Sequence, residues 1–185
     1  GSEMCIRDRN IKIAFDEWNT YVEATPPYFI ENYNIADAIY AASLLNACIN
    51  RGNIITNTGI YHLINVMGNY RIEKKKIWKT PTTLVLELYT KFHKGKILKS
   101  VVNSSNFVSF KLGKQPEYKN NKLIDSAVTM NGKHMCMSVV NKSSSEKILL
   151  KVPYLDRIAE NYCIEGSNKV DLNTYACLLY TSPSP

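Results

Sequence analysis

The spacing of apolar residues changes once along this chain, near Gly95, and the change limits the fold more than any other feature. Upstream of it, Ile11, Ile13 and Phe15 alternate with Lys12 and Ala14, a period-two pattern that predicts a strand ending at Asp16. Asn34 is a good helix N-cap, Asp37 suits the positive end of a helix dipole, and Gly52 suits a left-handed C′ position. Between these caps Ala38, Ala41, Leu45, Cys48 and Ile49 recur at helical spacing. A second strand is expected at Asn53 to Asn57, and Thr80-Pro81 forms an N-cap and N1 pair for a helix through Leu84, Leu88 and Phe92. Strand, helix, strand, helix is the βα repeat of a parallel sheet. Downstream of Gly95 the chain reads as short strands: Ile97 to Val102, Phe107 to Leu112, Leu123 to Met130, His134 to Val140 and Lys147 to Val152. Asn131-Gly132 is a type I′ hairpin signal, and Ile148, Leu150 and Val152 alternate as one buried face of an antiparallel sheet would. The expected class is α/β plus all-β, a βα part joined near Lys94-Gly95-Lys96 to a β-sandwich.

With 185 residues, 45% hydrophobic and 21% charged, the chain has material for one large or two small globular domains. Its net charge of +7 raises the question of nucleic acid, but the lysines are dispersed. The densest run, Glu73-Lys-Lys-Lys76, reads as a solvated turn. The five cysteines, Cys5, Cys48, Cys136, Cys163 and Cys177, show no metal-ligand spacing, and a disulfide framework is out of character for so apolar a chain. No apolar run reaches the roughly 18 residues of a membrane span, and the N-terminus lacks the regions of a signal peptide. A reduced, cytoplasmic protein with no nucleic-acid or membrane partner and no metal is the expectation.

The two ends invite a different reading. One DNA spelling of the last nine residues, Cys177 to Pro185, is TGT CTC TTA TAC ACA TCT CCG AGC CCA. Its reverse complement, read from the third base, encodes Gly-Ser-Glu-Met-Cys-Ile-Arg-Asp, the first eight residues of this chain. The spelling resembles a transposase-based sequencing adaptor, so residues 1–9 and 177–185 are expected to be translated adaptor, excluded from fold reasoning. On that expectation residues 10–176 are an internal piece of a longer protein; the alternative is a short protein starting at Met4.

A strand ending in Asp16-Glu17 would place a carboxylate at the C-terminal mouth of a parallel sheet, where barrel enzymes keep catalytic groups. An exposed acidic strand end is the plainer alternative for the dipeptide alone. The longer run Ile13-Ala-Phe-Asp-Glu-Trp-Asn19 resembles the nucleophile segment of glycoside hydrolase family 51, the α-L-arabinofuranosidases. Further segments are similar in the same order. Asp37-Ala-Ile-Tyr-Ala-Ala-Ser-Leu-Leu-Asn46 resembles the helix that follows, and Leu63-Ile-Asn-Val66 the segment after the last barrel strand. Ser138-Val-Val-Asn-Lys142 and Asp171-Leu-Asn-Thr174 resemble pieces of the C-terminal β-sandwich.

The resemblance implies the last βα units of a (β/α)8 TIM barrel over residues 10–94, then a truncated, jelly-roll-like antiparallel β-sandwich over 95–176. It implies Glu17 as the nucleophile of a retaining hydrolase acting on terminal α-L-arabinofuranosyl residues, with no cofactor. Trp18 and Tyr21 are expected to wall the pocket; Tyr21 stands where the family commonly has a second tryptophan. His62 stands about where the family often has a substrate-binding Gln, and it either hydrogen-bonds a sugar hydroxyl or packs its loop. Asp16 is expected to face away from the site, because adjacent strand residues point to opposite sides. The retaining mechanism needs a second carboxyl group about 5 Å away as acid/base. In the family it lies in a Gly-Asn-Glu segment, whereas Gly52-Asn53 and Gly68-Asn69 here are followed by Ile54 and Tyr70. The piece alone is therefore expected to be inactive. Oligomers are common in the family, so the full-length protein is expected to be a homo-oligomer. Two other readings stay open: a related TIM-barrel glycosidase of other sugar specificity, and a non-catalytic carbohydrate-binding β-sandwich module.

Overall fold

The computed structural model describes residues 11–20, 33–66, 68–111, 113–153, 157–158, 160–166 and 181–183. Within them the chain is mostly β, with two helices. Strand β1 (Ile13–Trp18) leads, through helix α1 (Ile35–Ile49), to strand β2 (Ile55–Ile60), which pairs parallel to β1. This is the connection expected of the βα part.

Helix α1 starts where its cap is best. The Asn34 side chain accepts a hydrogen bond from the Ala36 amide at 2.9 Å, and Asp37 accepts one from the Asn34 amide at 2.8 Å, a reciprocal capping box. The expected left-handed end at Gly52 is not formed. The C-cap is Asn50 in right-handed conformation, and Arg51 and Gly52 continue winding by donating to Cys48 O and Ile49 O. The turn simply tightens until Ile54 and Ile55 donate to Arg51 O and start β2.

An antiparallel hairpin follows, β3 (Tyr70–Glu73) with β4 (Lys76–Lys79), then helix α2 (Pro81–Phe92). Lys74 and Lys75 both have positive φ (47° and 69°), the pattern of a type I′ turn, so the basic run is a turn as expected and carries two unforeseen strands. Thr80 precedes Pro81 at the start of α2, but its hydroxyl donates to Asn69 O and leaves the helix amides uncapped.

The remaining strands are β5 (Lys96–Leu98), β6 (Asn106–Ser109), β7 (Tyr118–Lys122), β8 (Ile124–Asn131), β9 (His134–Asn141), β10 (Tyr162–Ile164) and β11 (Thr181–Pro183). Strand β8 lies between β5 and β9 in an antiparallel sheet, while β6 with β7 and β10 with β11 form two-stranded pairs. The β8–β9 hairpin turns one residue later than expected. Asn131 pairs with His134, and only Gly132 in the turn has positive φ (58°), as at the first central position of a type II′ turn. Lys147 to Val152 forms no strand despite its alternation, and Leu149 is 96% exposed. Strand β11 falls inside the expected adaptor sequence. Main-chain pairing between three-residue strands needs no side-chain pattern, so the sequence there carried no strand signal.

One core joins the two halves. Trp18, six α1 and α2 residues (Ile35, Ala38, Ala41, Ala42, Leu45 and Val85) and Val140 of β9 are buried together. At the centre of this junction Asn46 is completely buried. Its amide lies 2.7 Å from the Tyr89 hydroxyl of α2 and 2.5 Å from the Ser138 hydroxyl of β9. Tyr89 also donates to Ala42 O and Ser138 to Ala127 O. The atom facing both hydroxyls is Asn46 Oδ1, which accepts from each, while its Nδ2 is buried with no partner among the described residues. Asn50 donates to Ser126 O at 2.8 Å, a further bond from α1 to β8. Burial pushes the Tyr89 phenol up. It also lowers His93, whose Nδ1 lies 3.1 Å from Thr129 Oγ1 of β8 and whose Nε2 is buried with no partner among the described residues.

Candidate functional site

Strands β1 and β2 run parallel, so their C-terminal ends open on one edge, and Glu17 is there. The register explains how it is presented. Phe15 pairs with Thr58 and Trp18 with Ile60, so Asp16 and Glu17 on β1 stand opposite the single residue Gly59. That is a β-bulge, the irregularity that commonly re-aims a side chain beside an active site. Gly59 suits it: a Cβ there would lie 3.1 Å from Asp16 O. Asp16 and Glu17 are both exposed, as are residues 11–15 before them.

Two side chains brace the bulge. Below it, Trp18 Nε1 donates to Thr58 Oγ1 at 2.6 Å, and the Cys48 thiol of α1 approaches the same hydroxyl at 3.9 Å. Above it, Asn19 Nδ2 donates to Tyr61 O, while Asn19 Oδ1 accepts from the Thr20 amide at 2.8 Å. The Tyr61 amide donates back to Trp18 O at 3.3 Å. Tyr61 is thus held through both its amide and its carbonyl by the residues just after Glu17.

His62 follows Tyr61 through a cis peptide bond, and the two rings meet edge to face with centroids 4.9 Å apart. The loop beyond is organised by backbone bonds. His62 O accepts from the Asn69 amide at 3.0 Å, and Leu63 O from Tyr70 at 2.9 Å. Asn65, at φ 57°, accepts from the Ile72 amide at 2.8 Å through its side chain. Asn69 O in turn accepts from the Thr80 amide and the Thr80 and Thr83 hydroxyls, so the N-terminus of α2 anchors the loop carrying His62.

Glu17 and His62 therefore lie at adjacent strand ends, exposed on one edge. Trp18 does not. It is only 5% exposed, packed in the core against α1, because its side chain points to the helix side of the strand. Tyr21 lies outside the described residues, as does Asp171 to Thr174. Asn19, Tyr61 and Gly59 were not foreseen as parts of the site; Asn19 ends the acidic-aromatic run and was the one carrying a sequence signal. A cleft of about 440 Å³ lined by Asn50, Gly52, Asn53 and residues 97–100 lies at the N-terminal end of β2, away from Glu17. Among the described residues no three His, Cys, Asp or Glu side chains gather as metal ligands, and no helix is long and apolar enough to cross a membrane.

Comparison with known proteins covers nearly the whole chain. Residues 16–176 match the family model described as the alpha-L-arabinofuranosidase C-terminal domain. An intracellular exo-alpha-(1->5)-L-arabinofuranosidase of Streptomyces lividans is 24% identical over 91% of this chain, which spans 27% of that protein. Among solved structures, the thermostable GH51 alpha-L-arabinofuranosidase of Thermotoga petrophila superposes with a TM-score of 0.81 and 24% identity, covering 96% of this chain and 39% of that one. The alpha-L-arabinofuranosidase of Thermotoga maritima, solved as an arabinose complex, gives 0.77 and 25% identity, covering 92% and 37%. The chain thus spans well under half the length of these relatives, and it belongs to the family of alpha-L-arabinofuranosidase C-terminal domains.

Proposed function

We propose that this chain is the C-terminal part of a retaining α-L-arabinofuranosidase and that Glu17 is its nucleophile. The observation that carries the reading is the bulge at Asp16-Glu17, which presents an exposed carboxylate at the C-terminal end of a parallel strand. On this reading β1, α1, β2 and α2 are the last two βα units of a (β/α)8 barrel. The antiparallel strands after Gly95 belong to a truncated, jelly-roll-like β-sandwich. Glu17 attacks the anomeric carbon of a terminal arabinofuranosyl residue, and the leaving oxygen takes a proton from a second carboxylic acid on an upstream strand of the full-length protein. Water, deprotonated by that same group, then hydrolyses the glycosyl-enzyme and regenerates Glu17.

His62 hydrogen-bonds a hydroxyl of the bound sugar from the neighbouring strand end, with Tyr61 holding its ring edge-on. Tyr21 supplies an aromatic wall, and Trp18 backs the strand from the core. Both carboxyl groups come from side chains, so the chemistry calls for no cofactor. The three described cysteines are free thiols, consistent with a reducing, cytoplasmic setting. The test is a panel of aryl glycosides assayed with the full-length enzyme and its Glu17→Gln variant. Release from the aryl α-L-arabinofuranoside that the variant abolishes supports the reading; a preference for another glycoside overturns the sugar assignment, and an active Glu17→Gln enzyme overturns the nucleophile. The 185-residue chain by itself should release nothing.

A further inference from the structure

Glu17 sits in a bulge, and a bulge fixes a side chain's direction only if something fixes the bulge. The regular ladder cannot, since Asp16 and Glu17 share one partner position at Gly59. Below, Trp18 is held by the core and by Thr58. Above, the cross-strand tie made by a side chain is Asn19 Nδ2 to Tyr61 O. The same amide accepts from the Thr20 backbone at 2.8 Å, which fixes which way it faces. We infer that Asn19 is a positioning residue, locking the ends of β1 and β2 together so that Glu17 and the Tyr61-His62 pair hold a fixed separation. The inference rests on the proposed role of Glu17 and names the group that aims it.

The geometry accounts for an amide at this position. An Asp would present an acceptor to the Tyr61 carbonyl and repel it, and an Ala would leave the carbonyl to solvent and the bulge held from one side. A displacement of about 1 Å at a reacting carboxylate is enough to slow catalysis on the order of a hundredfold.

The experiment uses the full-length enzyme with Asn19→Ala and Asn19→Asp, assayed on an aryl α-L-arabinofuranoside, with Glu17→Gln and the double variant alongside. Both single variants should lower kcat roughly ten- to a hundredfold, on the order expected for a small misplacement, with KM within about threefold. Melting temperatures should stay within a few degrees of the parent, since Asn19 is a partly exposed strand-end residue. Adding Asn19→Ala to Glu17→Gln should cause no further loss, because the group being aimed is gone. Full kcat in either Asn19 variant, or losses that add fully in the double variant, overturns the positioning role. A loss of kcat in proportion to a loss of folded protein does the same. If Glu17→Gln itself retains activity, the reading of the nucleophile fails instead, which separates the two outcomes.

Discussion

Replacing Asn46 probes the junction between the βα and β parts, and the outcome depends on which atoms of its amide face the hydroxyls. Asn46 is 0% exposed and bridges Tyr89 of α2 and Ser138 of β9, whose hydroxyls also have Ala42 O and Ala127 O as partners. With Oδ1 accepting from both, Asn46→Leu removes two hydrogen bonds of about 0.5–1.5 kcal/mol each, yet both hydroxyls keep a carbonyl acceptor, Ala42 O or Ala127 O, and the volume stays filled. It should therefore destabilise by about 1–3 kcal/mol. Asn46→Ala adds a cavity term and should cost about 1 kcal/mol more. Asn46→Asp keeps the shape but buries a carboxylate with no cation among the groups that contact it, at a cost of about 3–5 kcal/mol once ionised. Burial raises the folded-state pKa of such an Asp above its unfolded value near 3.9, so the unfolded state binds fewer protons and stability falls as pH rises. Urea denaturation of the chain at pH 4.5 and pH 8 measures this. Asn46→Asp should approach Asn46→Ala in stability at the lower pH and fall well below it at the higher. Equal stability of the Asp and Ala variants at pH 8 would refute the cost assigned to a carboxylate buried at this junction.

Other consequences follow from single groups. His93 has its Nε2 buried without a partner among the described residues, and burial lowers its pKa. Its contribution is present above pH 6.5 and lost as pH falls from there toward the folded-state value; urea midpoints should drop between pH 7.5 and 5.5, and His93→Gln should flatten that difference. Gly95 has φ 78°, and a Cβ there would lie 2.2 Å from Met130 O. Gly95→Ala should destabilise by at least about 1–2 kcal/mol from backbone conformation alone, with displacement of β8 added, read as a lower urea midpoint. Trp18→Ala should cost about 3–5 kcal/mol as a buried aromatic truncation. Trp18→Phe should cost about 1 kcal/mol for the lost bond to Thr58, with denaturation midpoints separating the two.

The sequence was most informative where side chains act locally. The Asn34 and Asp37 box fixed the start of α1, and Ala38, Ala41, Leu45 and Cys48 identified its buried face. Ile13 and Phe15 marked β1. Long-range geometry was less legible. The bulge opposite Gly59 depends on the pairing of β1 with a strand some 40 residues later, and no local pattern encodes a register shift. The burial of Trp18 was not readable either, because which face of a strand is covered depends on where α1 packs. The alternation of Ile148, Leu150 and Val152 was sound as a pattern, but a strand also needs a neighbour to pair with. Strands β3 and β7 were missed because Tyr70–Glu73 and Tyr118–Lys122 are short and polar, held by their hairpin partners and not by burial. Around the candidate site, Glu17 and His62 were named from residue type and position, whereas Tyr61 is held through its main chain, which leaves no mark in the sequence.

The most direct test is to capture the covalent intermediate. The full-length enzyme, incubated with an activated arabinofuranoside carrying an electronegative group at C2 to slow breakdown of the glycosyl-enzyme, is digested and its peptides are weighed. The mass of the C2-substituted pentosyl group on the peptide containing Ile13-Ala-Phe-Asp-Glu-Trp-Asn19, localised by fragmentation to Glu17, is the predicted result. A label on a different carboxylate, or turnover with inversion and no labelled peptide, would contradict the account.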